Sequence, residues 1–454
     1  MTVTEILQFV DNLVFTKTDK HLDDLQKKII EELFQGRTYK QIANMYDYDE
    51  GYIGDESRNL FKILSEILGE DINKSNFCWT LERGTNCSKI VSFSFGNNNI
   101  NCYSNYEKSN YQENNNTEKS NSSYHDLTLA PKIIRFYGRN TELEYLSNWI
   151  LNQNTHLISV LGLSGIGKTT LVKRFVDINI QQFEVVIWRS LKFPKSLNLL
   201  IDDLLNVCQQ EAKETIDDKL NQIFNILRNK KCLIILDDLE NIFINRQFAG
   251  QYKAEYQNYQ TFLQMITEIE HQSCLILISQ EKCQEMISLD NELYPIHSLE
   301  LSGLNHPATE ILKNQGLKNE ETWLELINLY ESHPKYLQYI SILIKDVFQG
   351  EVSEFIKENS LILTEDFKSL FDSIWIRLSD IEKGILLTIS QNDQSISRDE
   401  IKQCLSLSSI DIINGLQSLT RRFLLTKLEN DEKQFFNISS VFRQYLKVYH
   451  CSSS

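Results

Sequence analysis

Apolar side chains recur at helical spacing through the first 83 residues, in "LDDLQKKIIEELF", "TYKQIANMYDYD" and "EGYIGDESRNLFKILSEILG", and predict a small helical domain over 1–83. From 84 to 131 Asn, Ser, Tyr and Glu displace the aliphatic residues ("GNNNINCYSNYEKSNYQENNNTEKSNSS"). Too few apolar groups remain to offset chain entropy, which predicts a disordered linker with only "KIVSFSF" extended. Between 132 and 304 short apolar runs alternate with helical stretches, the pattern of βαβ units in a parallel sheet. The predicted strands are "HLISVL" (156–161), "FEVVIWRSL" (183–191), "CLIILDD" (232–238), "CLILIS" (274–279) and "HSLELSGL" (297–304). A polar, tyrosine-rich insertion, "AGQYKAEYQNYQTFLQMITEI", separates the third from the fourth and runs into an amphipathic helix. Residues 305–362 read as helices alone. Residues 363–454 read as three helices followed by "RRFLLTKLENDEKQFFNIS", a two-stranded wing. The expected fold is multidomain, α plus α/β: a helical unit resembling a helix-turn-helix, a parallel α/β sheet, a helical segment and a winged helix. No period of 20–50 residues points to a solenoid or propeller.

The length of 454 residues fits this division, since about 150 residues per domain gives roughly three. Forty-six basic against 62 acidic residues leave a net charge of −16 without any dense basic run, so the footprint of a non-specific nucleic-acid binder is missing. The nine cysteines form no C-x-x-C pair and no Cys/His cluster, and several lie in apolar runs; they read as reduced, buried thiols. "MTVTEILQFVDNLVF" lacks a basic n-region and carries Glu5 and Asp11, unlike a signal peptide. No apolar run reaches the length of a membrane span, so a cytoplasmic location is expected.

The sharpest chemical signal is "GLSGIGKTT", which fits G-x-x-x-x-G-K-[ST] with Gly162, Gly167, Lys168 and Thr169. An apolar strand precedes the loop and a helical pattern follows it, as a P-loop requires. Glycines let successive N–H groups turn inward around phosphates, Lys168 reaches the β- and γ-phosphates, and the Thr169 hydroxyl ligates Mg²⁺. Gly165 and Thr170 complete the expected nucleotide-binding loop. "CLIILDDLE" ends a strand in two acids: Asp237, at the tip of a neighbouring strand, is assigned to Mg²⁺, and Asp238 to orienting a water on the γ-phosphate.

Together with "FYGRNTELEYLSNWI", "FEVVIWRSL", "AGQYKAEYQNY" and "HQSCLILISQEK", these stretches resemble the NB-ARC domain of the STAND class of signal-transduction ATPases, over roughly 135–450. The resemblance implies an oligomerising switch driven by ATP and ADP, with an α/β core, a helical segment and a winged helix. In that family a G-R-x-x-E-L stretch lies against adenine and ribose, here Tyr137, Gly138 and Arg139. A helix-initiating proline contacts the adenine, here Pro334, which reads equally well as an ordinary first-turn proline. Three positions depart from the family. Gln280 in "ISQEK" stands where an arginine senses the γ-phosphate, and a neutral amide cannot offset the charge developing there, so at most slow hydrolysis is expected. Ser332 and His333 replace a glycine-containing turn. The position at which relatives place a histidine over the ADP phosphate falls on Ser439.

"QGRTYKQIANMYDYDEGYIGDESRNLFKILSEILG" resembles a helix-turn-helix, with Thr38 as N-cap and Tyr39, Ile42, Ala43 and Ile53 as packing positions. More narrowly, 1–83 resembles the N-terminal helix-turn-helix of vWA-MoxR associated proteins. Asp47, Asp49, Glu50, Asp55 and Glu56 against Arg58 would repel phosphates, so contact with protein is favoured over DNA. The leading expectation is a regulatory ATP/ADP switch in signal transduction or a defence system. Protein partners would be engaged through 1–83, with self-association and no membrane. Relatives carry a C-terminal repeat array that senses the trigger, and none follows the winged helix in this sequence. A DNA-reading regulator with the same switch is one alternative. A P-loop phosphotransferase is another, although it needs a basic acceptor lid where only Arg189 and Lys192 are scattered.

Overall fold

The computed structural model describes residues 123–450 except 284, 289–293, 305, 359, 393 and 431–432. Nearer the N-terminus it describes residues 7, 10, 11, 14, 15, 17, 20–34, 37–68 and 72. The chain divides into two compact units, Met1–Lys119 and Ser120–Ser454.

In the first unit the helices Asp24–Phe34, Tyr39–Tyr46 and Glu50–Leu68 bury Ile29, Ile30, Leu33, Ile42, Ala43, Ile53, Leu60 and Leu64 in one core. Thr38 starts the second helix: its hydroxyl accepts from Gln41 N, while the Gln41 amide oxygen accepts from Thr38 N. This reciprocal cap satisfies two otherwise orphaned donors. Asp47 then ends the helix in the left-handed region, with φ 59°. Most of the expected linker, together with "KIVSFSF", lies outside the described residues.

The second unit is built on a six-stranded, all-parallel sheet ordered β1-β3-β4-β5-β2-β6. Its strands are β1 Tyr124–Asp126, β2 Leu157–Leu161, β3 Val185–Ser190, β4 Cys232–Asp237, β5 Cys274–Ser279 and β6 Ile296–Glu300. The last part of the expected linker is therefore an edge strand, paired with β3 through Tyr124 and Val185. Successive strand residues alternate between two cores. Val185, Ile187, Ile234 and Leu236 pack with the helices Leu197–Val207, Ile216–Asn229 and Asn258–Glu268. Val186, Trp188, Leu233 and Ile235 pack with Lys168–Asn179 and Asn140–Ser147. Burial on both faces is why these strands read as continuous apolar runs.

The winged helix carries a three-stranded sheet, β7 Ile396–Ser397, β8 Thr426–Asn430 and β9 Lys433–Asn437, in the order β7-β9-β8. The expected two-stranded wing thus gains a two-residue third strand. Winged helix and helical segment share one apolar core. An aromatic chain runs through it, with Tyr330 and Phe367 rings 5.8 Å apart, Tyr336 and Phe371 5.7 Å, and Phe371 and Phe442 5.1 Å. At the seam with the α/β sheet Leu163 packs against this core, and polar groups bridge the rest. Arg246 N donates to Arg377 O at 2.9 Å, Ala249 N to Ser418 Oγ at 2.7 Å and Lys282 N to Arg421 O at 3.0 Å. Two of these three donors, Arg246 and Ala249, come from the loop between Asp237 and the helix Asn258–Glu268, the region of the polar insertion.

Candidate functional site

The loop between β2 and Lys168–Asn179 turns on three glycines in the left-handed half of backbone space: Gly162 at φ 140°, Gly165 at φ 80° and Gly167 at φ 106°. Close approach constrains two of them further. A Cβ on Gly162 would lie 2.9 Å from Leu301 O, and one on Gly165 would lie 2.6 Å from Lys335 Cβ. A Cβ on Gly167 would meet nothing within 4 Å, so its backbone faces open space at the start of the helix. The N–H groups of that first helical turn have no intrahelical acceptor and suit an anion.

Beside the loop opens a cavity of about 550 Å³. It is lined by Gly165, Gly167, Lys168, Thr169 and Thr170, by Lys132–Tyr137 and Arg139, and by Leu304, Ile311, Gln315, Pro334, Lys335 and Gln338. Of the residues expected at a nucleotide, Gly165, Gly167, Lys168, Thr169, Thr170, Arg139 and Pro334 meet here. Gly138 and Gly162 lie in its frame: Gly138, at φ 58°, backs onto Pro307, where a Cβ would come within 2.8 Å. Arg139 is committed to the protein. Its Nη1 pairs with Glu142 Oε1 at 2.7 Å, and its Nη2 donates to Ile166 O at 3.3 Å and to Ser302 O, so it braces the P-loop against the end of β6.

The Lys168 ammonium is buried and donates to the carbonyls of Gly162 and Leu163, both at 2.9 Å. Burial pulls its pKa down, while Glu240, Asp237 and Asp238 oppose that shift. Thr169 Oγ1 donates to Asp237 Oδ1 at 3.2 Å. The sequence predicts Asp237 on a strand neighbouring β2, but β4 is not its direct neighbour. β5 lies between them, and the two residues meet because all three parallel strands end on one side. Burial, with the charge of Asp238 adding to it, pushes the Asp237 carboxyl up to about 7. A hard divalent cation would relieve that cost, and a hydroxyl beside a carboxylate is an oxygen donor set suited to Mg²⁺. Asp238 sits at φ 61° with its Oδ2 accepting from Ser190 Oγ at 2.9 Å.

Gln280 follows β5. Its Nε2 donates to Glu240 Oε1 at 2.6 Å and its backbone N to Glu240 Oε2 at 3.2 Å. Ser439 caps the final helix, its Oγ accepting from Phe442 N at 3.2 Å. Pro334 is the first residue of the helix Pro334–Val347, and His333 caps it through Nδ1, 3.4 Å from Tyr336 N. Sequence reasoning missed Lys335 and the stretch 132–136. Lys335 follows Pro334 directly, so its place on the first turn was readable. Nothing in "KIIRF" signals a cavity wall.

Residues 1–84 match the family of vWA-MoxR associated protein N-terminal HTH domains, and residues 139–261 match the NB-ARC domain family. The chain is 31% identical, over 68% of its length, to an uncharacterised WD repeat-containing protein of Nostoc sp., and spans 26% of that relative. It is 26% identical, over 51% of its length, to a probable disease resistance protein of Arabidopsis thaliana, spanning 28% of it. The chain therefore spans about a quarter of these relatives. A solved STAND protein with a tetratricopeptide repeat sensor from Pyrococcus horikoshii aligns over 74% of this chain and 44% of its own, at 18% identity and a TM-score of 0.35. The NB-ARC match and the P-loop support a nucleotide-binding signalling switch. Among the described residues no helix is long and apolar enough to cross a membrane.

Proposed function

We propose that the chain is a STAND-type regulatory switch that binds ADP or ATP at Lys168 and Thr169. On this reading, nucleotide exchange controls whether the winged helix stays docked and whether copies assemble. One observation carries the reading: a single cavity is lined jointly by the P-loop, by residues 132–137 and Arg139, and by Leu304, Pro334 and Lys335 of the helical segment. A nucleotide seated there touches two bodies at once, and only contacts that differ between two states can shift their balance. Thr169 and Asp237 would hold Mg²⁺, which supplies charge neutralisation at the β- and γ-phosphates. Asp238 is assigned the water, and Gln280, tied to Glu240, limits turnover to a slow ATPase at most.

The N-terminal unit is assigned to protein contact. It exposes Met45 and the stacked pair Tyr48 and Tyr52. Asp47, Asp49 and Glu50 lie exposed beside them, while Arg58 is paired with Asp55. That surface opposes a phosphate backbone.

The test is to purify the chain, identify any nucleotide it carries, and measure its mass in solution with ADP and with ATP plus Mg²⁺. The expected result is bound nucleotide, a larger species with ATP, and loss of both in Lys168→Ala. A monomer in every state, indistinguishable from Lys168→Ala, would refute the switch.

A further inference from the structure

A second, smaller cavity of about 20 Å³ lies between Leu163 and Ser164 of the P-loop, Gln280 and Glu281 after β5, and Arg377 and Arg422 of the winged-helix side. It has room for a water and not for a phosphoryl group. Around it the two arginines are held very differently. Arg422 is spent on every side: Nη1 pairs with Glu281, Nε with Glu382 Oε1 at 2.9 Å, and Nη2 donates to Gln247 O at 2.8 Å. Arg377 bonds through Nη2 alone, to Glu281 Oε1 at 2.7 Å and to Glu240 O at 2.9 Å. Its Nη1 and Nε donate to nothing among the described residues, and its side chain is 18% exposed against 6% for Arg422.

We propose that Arg377 is the residue by which this chain distinguishes a nucleoside triphosphate from a diphosphate, exchanging its ion pair with Glu281 for one with the terminal phosphate. The proposal rests on the nucleotide-binding reading above and deepens it. Arg377 grips the side chain next to Gln280 and the backbone of Glu240, which is the partner of Gln280. It thus brings a guanidinium from another part of the fold to the cavity that Gln280 also lines. The exchange leaves no buried charge unpaired, because Glu281 keeps Arg422 when Arg377 departs. A guanidinium also suits phosphate in geometry, offering two parallel donors. Arg377 O accepts from Arg246 N across the polar seam, so moving Arg377 toward a phosphate pulls on the joint between sheet and winged helix.

The test uses the full chain with Mg²⁺, titrated calorimetrically with ADP and with the non-hydrolysable β,γ-imido analogue of ATP. Arg377→Gln should weaken the triphosphate analogue by about ten- to a hundredfold, the worth of one charged hydrogen-bonding contact, and leave ADP nearly unchanged. Adding Gln280→Arg to that variant should restore the preference. If thermal melting shows Arg377→Gln to be unfolded, Glu281→Gln supplies the reading: it releases Arg377 and should raise the triphosphate-to-ADP preference. Equal weakening of both nucleotides in Arg377→Gln, or an unchanged preference in Glu281→Gln, overturns the proposal. Undiminished binding in Lys168→Ala overturns the nucleotide site itself, a separate failure.

Discussion

Ser332 stands at φ 55°, directly after Glu331 at φ 57°, where L side chains are strained. Its backbone is fixed on both sides, N donating to Ile327 O at 2.7 Å and O accepting from Leu304 N at 2.9 Å, so the turn cannot relax. Glycine removes a left-handed penalty of about 1–2 kcal/mol and costs about 0.5–1 kcal/mol of chain entropy. Ser332→Gly should therefore stabilise the chain by roughly 0.5–1 kcal/mol, read as a higher denaturant midpoint at unchanged slope. A lower midpoint would show that the serine side chain contributes more than the strain it imposes. This turn leads into Pro334 and Lys335, so strain beside the cavity is where sequence logic gave way to the site. Lys168, Thr169 and Gly167 were legible because one loop holds them all. Arg377 was not, because its grip on Glu240 spans 137 residues of chain.

At the scale of the strands, the entry ends of β2 and β5 hold His156 and His271, both buried, with rings 3.9 Å apart. His271 Nε2 lies 2.9 Å from Ile266 O and its Nδ1 accepts from Ser273 N at 3.2 Å, an arrangement of the neutral ring. Burial, then the neighbouring His156, pushes its pKa down from 6.5 to about 4. The unfolded chain binds a proton there that the folded chain refuses. The contribution is therefore fully present above pH 6.5 and lost as pH falls from 6.5 toward about 4. Urea unfolding of the wild type should show stability falling across that window more steeply than in His271→Gln. Parallel slopes would remove His271 from the account. β2, β4 and β5 were legible because burial on both faces writes an unbroken apolar run. β1 was not, because Tyr-His-Asp in a polar stretch carries no such pattern, and its order comes from the edge of β3. β7 is two residues long and is defined only by pairing with β9.

For the Ser120–Ser454 unit as a whole, the two joints around the site differ in kind. Helical segment and winged helix are joined by an apolar core and its aromatic chain, whereas sheet and winged helix meet chiefly through hydrogen bonds and the Glu281, Arg377 and Arg422 cluster, with Leu163 of the P-loop as an apolar contact beside Ile374 and Leu424. Opening an apolar joint exposes surface at about 25 cal/mol per Å², while a polar joint exchanges its bonds for water at about 0.5–1.5 kcal/mol each. The polar seam is accordingly the joint that opens at the lower cost, and the charge cluster makes it responsive to a change of phosphate. Hydrogen exchange on the full chain should then show the amides of Arg246, Ala249 and Lys282 losing protection when ADP is replaced by ATP and Mg²⁺. The helix Glu365–Trp375, which carries Phe367 and Phe371, should keep its protection. The opposite pattern, a protected seam with faster exchange through Glu365–Trp375, would mean that the winged helix parts from the helical segment first and that the apolar core, not the polar seam, is the joint that nucleotide moves.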